Sequence, residues 1–580
     1  MRRPRLPGPL LPAVHLGSRV WLWPSGPVLY LPMTDVAAIL ARARTRVVSR
    51  DNPLLSTLPP WVQSFRPHQV TAIEEIVNEY ETGKRLVVVD APTGAGKSLI
   101  AESVRRILES TGTYLCTTKA LQEQIRSTFP YAAVVMGRRN YDPTDRDPLA
   151  VSAGVTCEDC DKKKYEDEEG RETWKCRFCA QVGACPYEMA KHAALSADLA
   201  CLNTSYWLTE VNGPGRFSKR SGLTIVDETD TLESELMGYV EVNIGSRNAQ
   251  RWGIRPPSKV TVESAWGDWC EETLEALSTA RRKAGSKKDD VRQAREVKRL
   301  SGLQEQVRGL REGLREGELR WVYTGNDREI SFKPVTVETL GQRYVWKHGD
   351  RWLLMSATVI SAEQMMESLG WEEDYAVVRV PSTFDRRNRK VIARANIDMA
   401  HRNRETSWPL VGDELVRILK DHPTDRVLVH SVSYALTDYL VKMVIDSGIS
   451  RPVFSYSSSS EKGNALDGYL AAENSVMIAP SMDRGVDLPG DACRCQVIVK
   501  VPFLNIGDRQ VSARLHSYGG QLWYVVSAIR TLVQMSGRAV RSETDHATTY
   551  VLDSQFVDGV WNRGGRQLFP AYFRDAIIWQ

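Results

Sequence analysis

The stretch Ala91-Pro92-Thr93-Gly94-Ala95-Gly96-Lys97-Ser98 stands between an apolar run, Leu86-Val87-Val88-Val89, and the helix-forming Leu99-Ile100-Ala101-Glu102-Ser103-Val104. Strand, glycine-rich loop, helix start is the order a phosphate cradle requires. Gly94 and Gly96 permit a tight turn that aims backbone N–H groups inward, and the positive end of the helix dipole reinforces them. Thr93, Gly94, Ala95 and Gly96 are thus the candidate cradle for the β- and γ-phosphates of a nucleoside triphosphate. Lys97 adds a point charge on those phosphates, and Ser98 offers a hydroxyl to Mg²⁺.

Upstream of this loop, Gln69 heads the amphipathic run Val70 to Tyr80. Its amide carries both donor and acceptor, which suits it to adenine. Downstream, Thr113 to Thr118 reads as a second strand with a polar end, where open α/β sheets bind ligands. Leu223 to Asp230 is a further apolar strand closing on carboxylates. Asp227 is the candidate Mg²⁺ ligand, and Glu228 the group that orients and deprotonates the attacking water. Acids at the end of a buried strand are costly without a cation or partner. Trp352 to Met355 is a third strand, ending in Ser356-Ala357-Thr358, whose hydroxyls are placed to couple the nucleotide site to a second lobe.

From residue 366 the alternation of strands and helices repeats. Arg426 to His430, Val476 to Ala479, Val497 to Val499 and Thr549 to Leu552 are the candidate strands of a second parallel sheet. Within it, Gln534, Arg538 and Arg541 recur at four- and three-residue steps, which predicts one polar helix face. Arginines so arranged reach across a cleft to a γ-phosphate.

The chain of 580 residues carries 76 basic against 72 acidic residues, a net charge of +4 that neither demands nor excludes nucleic acid. No apolar run is long enough to span a membrane. Met1 to Pro32 holds four arginines and no acidic residue. It reads as a dispensable leader with Met33 as the functional start, in preference to a transit peptide. Trp266 to Ala284 and Lys287 to Glu318 read as two charged helices. Leu300, Leu303, Val307, Leu310 and Leu314 form a packing seam on the second, followed by a hairpin of Arg320 to Tyr323 and Arg328 to Phe332. Lys287, Lys288, Arg292, Arg295, Lys298 and Arg299 either follow a DNA backbone or form a solvated face.

Of ten cysteines, five fall between Cys157 and Cys185. The pattern Cys157-x2-Cys160-x15-Cys176-x2-Cys179-x5-Cys185 signals a metal in a reducing, cytoplasmic setting, not a disulfide framework. The first four match a Cys₄ zinc ribbon, while a [4Fe–4S] cluster also takes four thiolates. Spacing alone leaves both metals open.

The ordered motifs resemble the superfamily 2 helicases, specifically the iron–sulfur group that includes XPD and DinG. Met136-Gly137-Arg138-Arg139-Asn140-Tyr141 resembles the element preceding that group's cluster. Cys185-Pro186-Tyr187-Glu188 with Ala200 to Tyr206 resembles the element closing it, and Ser481 to Gly490 resembles the fifth motif. The resemblance implies two RecA-like lobes, with a cysteine-rich cluster insertion and a helical arch insertion both in the first. The implied spans are 1–32 leader, 33–135, 201–240 and 336–365 first lobe, 136–200 cluster insertion, 241–335 arch and 366–580 second lobe.

It further implies ATP- and Mg²⁺-dependent 5′→3′ movement on single-stranded DNA with unwinding of forked or duplex DNA, in repair, replication or recombination, by a monomer. Gln534, Arg538 and Arg541 would sense the γ-phosphate, and Gly485 and Asp487 would join the nucleotide site. Cys176, Cys179 and Cys185 fit the last three cluster ligands, with Cys157 as the first and Cys160 as its alternative. Asp227-Glu228-Thr229-Asp230 departs from the group's Asp-Glu-Ala-His. Two other readings stay open: a DNA-stimulated translocase with structural Zn²⁺, and an ATP-switched nucleic-acid-binding protein.

Overall fold

The computed structural model describes residues 65–143, 155–159, 162–166, 172–176, 185–213, 215–220, 222–285, 291–317, 319–458, 460–482, 488–540, 542 and 544–580. The leader, Cys160, Cys179, Gly485, Asp487 and Arg541 lie outside the described residues, and of Cys176 only the backbone is described.

The loop Ala91–Ser98 hangs from a seven-stranded sheet. Its spatial order is Ala376–Arg379, Leu86–Asp90, Arg351–Ser356, Leu223–Asp227, Gly112–Cys116, Leu199–Asn203 and Ala133–Val135. Every pairing in it is parallel. A parallel sheet is covered on both faces, so its strands read as continuous apolar runs. In Leu86–Asp90, Leu86 and Val88 enter the core on one face while Val87 and Val89 enter the core on the other. The strand Ala376–Arg379 belongs to this first sheet, so the change of lobe comes after it and not at residue 366.

The second lobe is another seven-stranded, all-parallel sheet. Its order is Val453–Phe454, Val476–Ala479, Val427–His430, Cys495–Ile498, Ala547–Asp553, Arg389–Ile397 and Ile577–Trp579. All four strands expected from sequence lie within it.

Two excursions leave the first sheet. One joins Ala133–Val135 to Leu199–Asn203 and includes an antiparallel ribbon, Lys162–Glu166 with Glu172–Cys176. The other joins Leu223–Asp227 to Arg351–Ser356. It contains the helices Ser264–Gly285 and Val291–Glu316 and a three-stranded sheet of Val242–Gly245, Glu329–Pro334 and Trp321–Tyr323. The leucine seam is real: Leu300, Val307 and Leu310 are fully buried. Phe332 anchors the base of this arch, with Trp266, Trp269 and Tyr323 rings 5.4, 4.8 and 5.2 Å away.

The described part of the basic run is solvent-exposed, as one of the two readings expected, and also makes contacts of its own. Arg295 grips Asp159 with two hydrogen bonds, one of 2.6 Å, Lys298 pairs with Glu158 at 3.6 Å, and Arg299 lies 5.6 Å over the Trp252 ring. Arg295 and Lys298 tie the arch to the cysteine-rich insertion, and Arg299 packs within the arch. A separate contact joins the lobes away from the phosphate loop. Gln510 donates to the Val335 carbonyl at 2.8 Å, and buried Arg514 pairs with Glu233.

Candidate active site

The phosphate loop is shaped by its two glycines. Gly94 and Gly96 take φ of +82° and +83°, a region closed to most side chains. A Cβ at Gly96 would strike the Gln69 amide, and one at Gly94 would strike the Phe384 ring. The helix Lys97–Ile107 starts immediately after Gly96, so its free N–H groups face the loop.

The helix Pro67–Glu81 holds the loop from outside. Gln69 donates to the Ala95 carbonyl at 3.0 Å and accepts the Arg66 backbone N–H at 2.9 Å. Arg66 donates to the Gly94 carbonyl at 3.1 Å, and the His68 ring lies 3.3 Å from the Ala95 carbonyl. Gln69 therefore shapes the cradle here. Part of the amide read from sequence as an adenine reader is already committed to the loop.

Asp227 closes its strand at 7% exposure. One carboxylate oxygen accepts the Glu228 N–H at 3.0 Å and the other accepts the Tyr114 hydroxyl at 2.9 Å. Glu228 adopts φ 52°, ψ 46°, a left-handed conformation that costs about 1–3 kcal/mol outside glycine. Such strain is kept where surrounding structure enforces it, and it turns Glu228 into the cleft. At the strand end before the loop, burial pushes the Asp90 carboxyl from 3.8 up to about 7, opposed in part by Arg379 and Lys97.

Asp230 links the lobes. Ser356 donates to one of its oxygens at 2.7 Å, and Gln534 of the second lobe donates to the other at 2.9 Å. Gln534 also donates to Thr358 at 3.0 Å. Of the two hydroxyls singled out in the sequence, Thr358 thus meets the second lobe directly, and Ser356 reaches it through Asp230. Asp230, one of the two residues that depart from the Asp-Glu-Ala-His pattern, is the one that accepts across the interface.

The sequence placed Gln534 and Arg538 on one helix face. The helix Gly520–Ser536 ends before Arg538, and Gly537 caps it. The two residues converge through the turn instead: the Arg538 guanidinium donates to the Gln534 carbonyl at 3.2 Å. The Arg538 carbonyl accepts the Leu488 N–H at 3.3 Å, which ties this turn to the last part of the Ser481 to Gly490 segment.

Both lobes line one cleft of about 1140 Å³. From the first lobe come Lys97, Ser98, Asp227 and Glu228; from the second come Gln534 and Arg538. Sequence reading missed further members. Phe384, on the segment between the lobes, covers Gly94 and is buried with second-lobe residues. Arg389 lies 5.4 Å over the Tyr572 ring and donates to the Phe384 carbonyl at 3.2 Å. Tyr114 stands behind the Mg²⁺ candidates. No short motif flags these residues, because they reach the cleft through chain crossing and not through local spacing.

Cys157 is 2% exposed, and its N–H donates to the Tyr141 carbonyl at 2.8 Å. Cys185 begins the helix Pro186–Ser196. Arg138 lies 4.8 Å over the Tyr187 ring on that helix. The segments Arg138–Tyr141 and Cys185–Tyr187 therefore flank the two described thiols. Among the described residues, no three or more His, Cys, Asp or Glu side chains gather as a metal site.

Two family models match the chain. Residues 415–574 match the helicase C-terminal domain, and residues 63–176 match the res subunit of type III restriction enzymes. No curated protein matches the sequence. Among solved structures, the chain is similar to an XPD helicase at 15% identity and TM-score 0.58, covering 89% of this chain and 100% of that one. It is similar to XPD in its apo form at 15% identity and TM-score 0.54, with the same coverages. Xpd4 of S. tokodaii follows at 13% identity and TM-score 0.53, again covering 89% and 100%. These likenesses show a shared fold.

Proposed function

We propose, from the premise that the chain is an ATP-hydrolysing helicase of superfamily 2 and of the XPD/DinG type, that it moves 5′→3′ along single-stranded DNA and unwinds forked or duplex DNA. The observation that carries this reading is the shared cleft: the phosphate loop and Asp227–Glu228 face Gln534 and Arg538 across it. ATP bound on the loop completes its charge neutralisation only when the second lobe is drawn in. Lys97 would hold the phosphates, while Ser98 and Asp227 would hold Mg²⁺. Glu228 takes the proton from the attacking water, and Arg538 meets the charge that develops on the γ-phosphate. Hydrolysis followed by release of inorganic phosphate removes that charge, and the lobes part. Gly485, Asp487 and Arg541 would complete the same site.

A second opening, of about 1920 Å³, lies between the arch and the first lobe and is lined by Arg139, Lys298, Arg308, Arg311 and Arg343. Eight arginine and lysine side chains outnumber six carboxylates in this lining, an excess that suits a phosphate backbone. We assign the strand path to it, in a monomer acting in repair, replication or recombination in the cytoplasm. Among the described residues no helix is long and apolar enough to cross a membrane.

The donor set fits an iron–sulfur cluster. Cys157, Cys176, Cys179 and Cys185 would hold it, with Cys160 as the alternative first ligand. A [4Fe–4S] cluster supplies rigid cross-linking of the insertion and an electron-transfer centre. One observation favours zinc: the ribbon separates the two Cys-x2-Cys pairs of the sequence and sets Lys162 opposite Cys176, the arrangement of a Cys₄ zinc ribbon. Anaerobic purification with iron, sulfide and zinc analysis decides between them. The motor reading is tested with forked duplexes carrying only a 5′ or only a 3′ single-stranded tail. Displacement of the 5′-tailed fork, lost in Lys97→Ala, is expected; preference for the 3′ tail refutes the polarity, and no DNA-stimulated hydrolysis refutes the motor.

A further inference from the structure

One buried polar group beside the nucleotide cleft has no part in the scheme above. Tyr114, in the strand Gly112–Cys116, is 1% exposed, yet its hydroxyl lies 2.9 Å from Asp227 Oδ2 and 3.1 Å from Ser98 Oγ. A carboxylate only accepts, so the phenol donates to Asp227. Its oxygen is then the acceptor available to the Ser98 O–H. The second carboxylate oxygen of Asp227 is held by the Glu228 N–H at 3.0 Å.

We infer that Tyr114 is a positioning residue, a phenol relay that runs Ser98 O–H to Tyr114 O–H to the Asp227 carboxylate and holds both Mg²⁺ ligands in register. The inference rests on the nucleotide reading of the cleft and adds a chain-specific part to it. A serine that binds a cation through an oxygen lone pair must send its proton elsewhere, and Tyr114 receives it. The same hydroxyl, with the Glu228 N–H, fixes the rotation of the Asp227 carboxylate that would hold the cation. Sequence reading passed over this side chain, because a tyrosine inside an apolar strand looks like core. Its ring does pack as core, and only its oxygen reaches the site.

The test separates the hydroxyl from the ring. ADP binding is measured by titration calorimetry for wild type, Tyr114→Phe, Ser98→Ala and the double variant, with MgCl₂ and again with EDTA. Outer partners of metal ligands are worth about 10- to 100-fold in metal affinity. Tyr114→Phe is therefore expected to weaken Mg²⁺–ADP about 10-fold or more and to leave metal-free ADP unchanged. The loss should shrink in the Ser98→Ala background, because both changes break one relay. Tyr114→Met, which also lacks the hydroxyl, supplies the comparison where phenylalanine does not fold. Equal weakening of both forms would make Tyr114 a packing residue and overturn the inference, as would Mg²⁺–ADP binding identical to wild type. If wild type binds neither form, the nucleotide reading itself fails.

Discussion

Replacing Gln534 by glutamate tests the link between the lobes with almost no change of shape. Gln534 Nε2 lies 2.9 Å from an oxygen of Asp230, buried at 7% exposure on each side. Gln534→Glu puts a second carboxylate at that distance. Two like charges so placed repel by about 6 kcal/mol at an effective dielectric of about 20. That repulsion lifts one carboxyl of the pair well above the ordinary carboxylate range, to a pH at which the bridge gives way. Below that pH the pair shares a proton and the bridge holds. Above it both carboxylates ionise and the lobes are pushed apart, carrying Arg538 with Gln534.

The assay is the pH profile of DNA-stimulated ATP hydrolysis and strand displacement, from about pH 6 to about pH 9, for wild type, Gln534→Glu and the double variant Asp230→Asn/Gln534→Glu. The single variant should fall at least about 10-fold below wild type as pH rises across this range, since about 1.4 kcal/mol of the repulsion suffices for that loss. The double variant reverses the polarity of the bond: asparagine donates to the new carboxylate and still accepts from Ser356. It should recover at high pH. Parallel profiles for wild type and single variant, or a double variant no better than the single, would refute the link.

Glu228→Gln should lower hydrolysis by about 10²- to 10⁴-fold, the span of general-base catalysis, while ATP binding persists in a filter or fluorescence assay; loss of binding of equal size would remove Glu228 from the water-activating role. Asp90→Asn tests a buried acid whose carboxyl is raised from 3.8 to about 7. A folded-state pKa above the unfolded one means stability is full below the unfolded value and lost as pH rises through about 7. The variant should therefore melt higher than wild type at about pH 8 and show no such gain at about pH 4; an advantage independent of pH contradicts the assignment. Leu310→Ala, at a fully buried seam position, should cost about 2–5 kcal/mol and lower hydrogen-exchange protection in Ser264–Gly285 and Val291–Glu316; unchanged protection there would show that the seam does not hold the arch.

Much of the site was legible because its pieces are local. The loop Ala91–Ser98 needs strand, glycines and helix within a few residues, and the structure has them in that order. Asp227 and Glu228 are legible for the same reason, since paired acids closing an apolar strand have few other uses. Ser356 and Thr358 were readable as lobe-coupling hydroxyls by their place at a strand end. The reading failed where spacing was trusted without a terminator. Gln534 and Arg538 keep helical intervals, yet Gly537 ends the helix between them and the turn brings them together.

Other features were decided by tertiary structure alone. The strand Ala376–Arg379 joins the first sheet because it is parallel to Leu86–Asp90, a pairing no local pattern announces. Arg295 and Lys298 look like a DNA-facing stripe until the fold brings Asp159 and Glu158 against them. Phe384 and Arg389 enter the cleft from the inter-lobe segment and the second sheet, and Tyr114 backs it from a neighbouring strand. The sequence by itself determined the phosphate loop, the two sheets and the arch seam, since hydrogen bonding and burial over a few residues specify them. Which distant side chains meet Ser98, Asp227 and Asp230 was decided by the packing of one strand against another and of one lobe on the other, because those contacts join residues up to 304 positions apart in the chain.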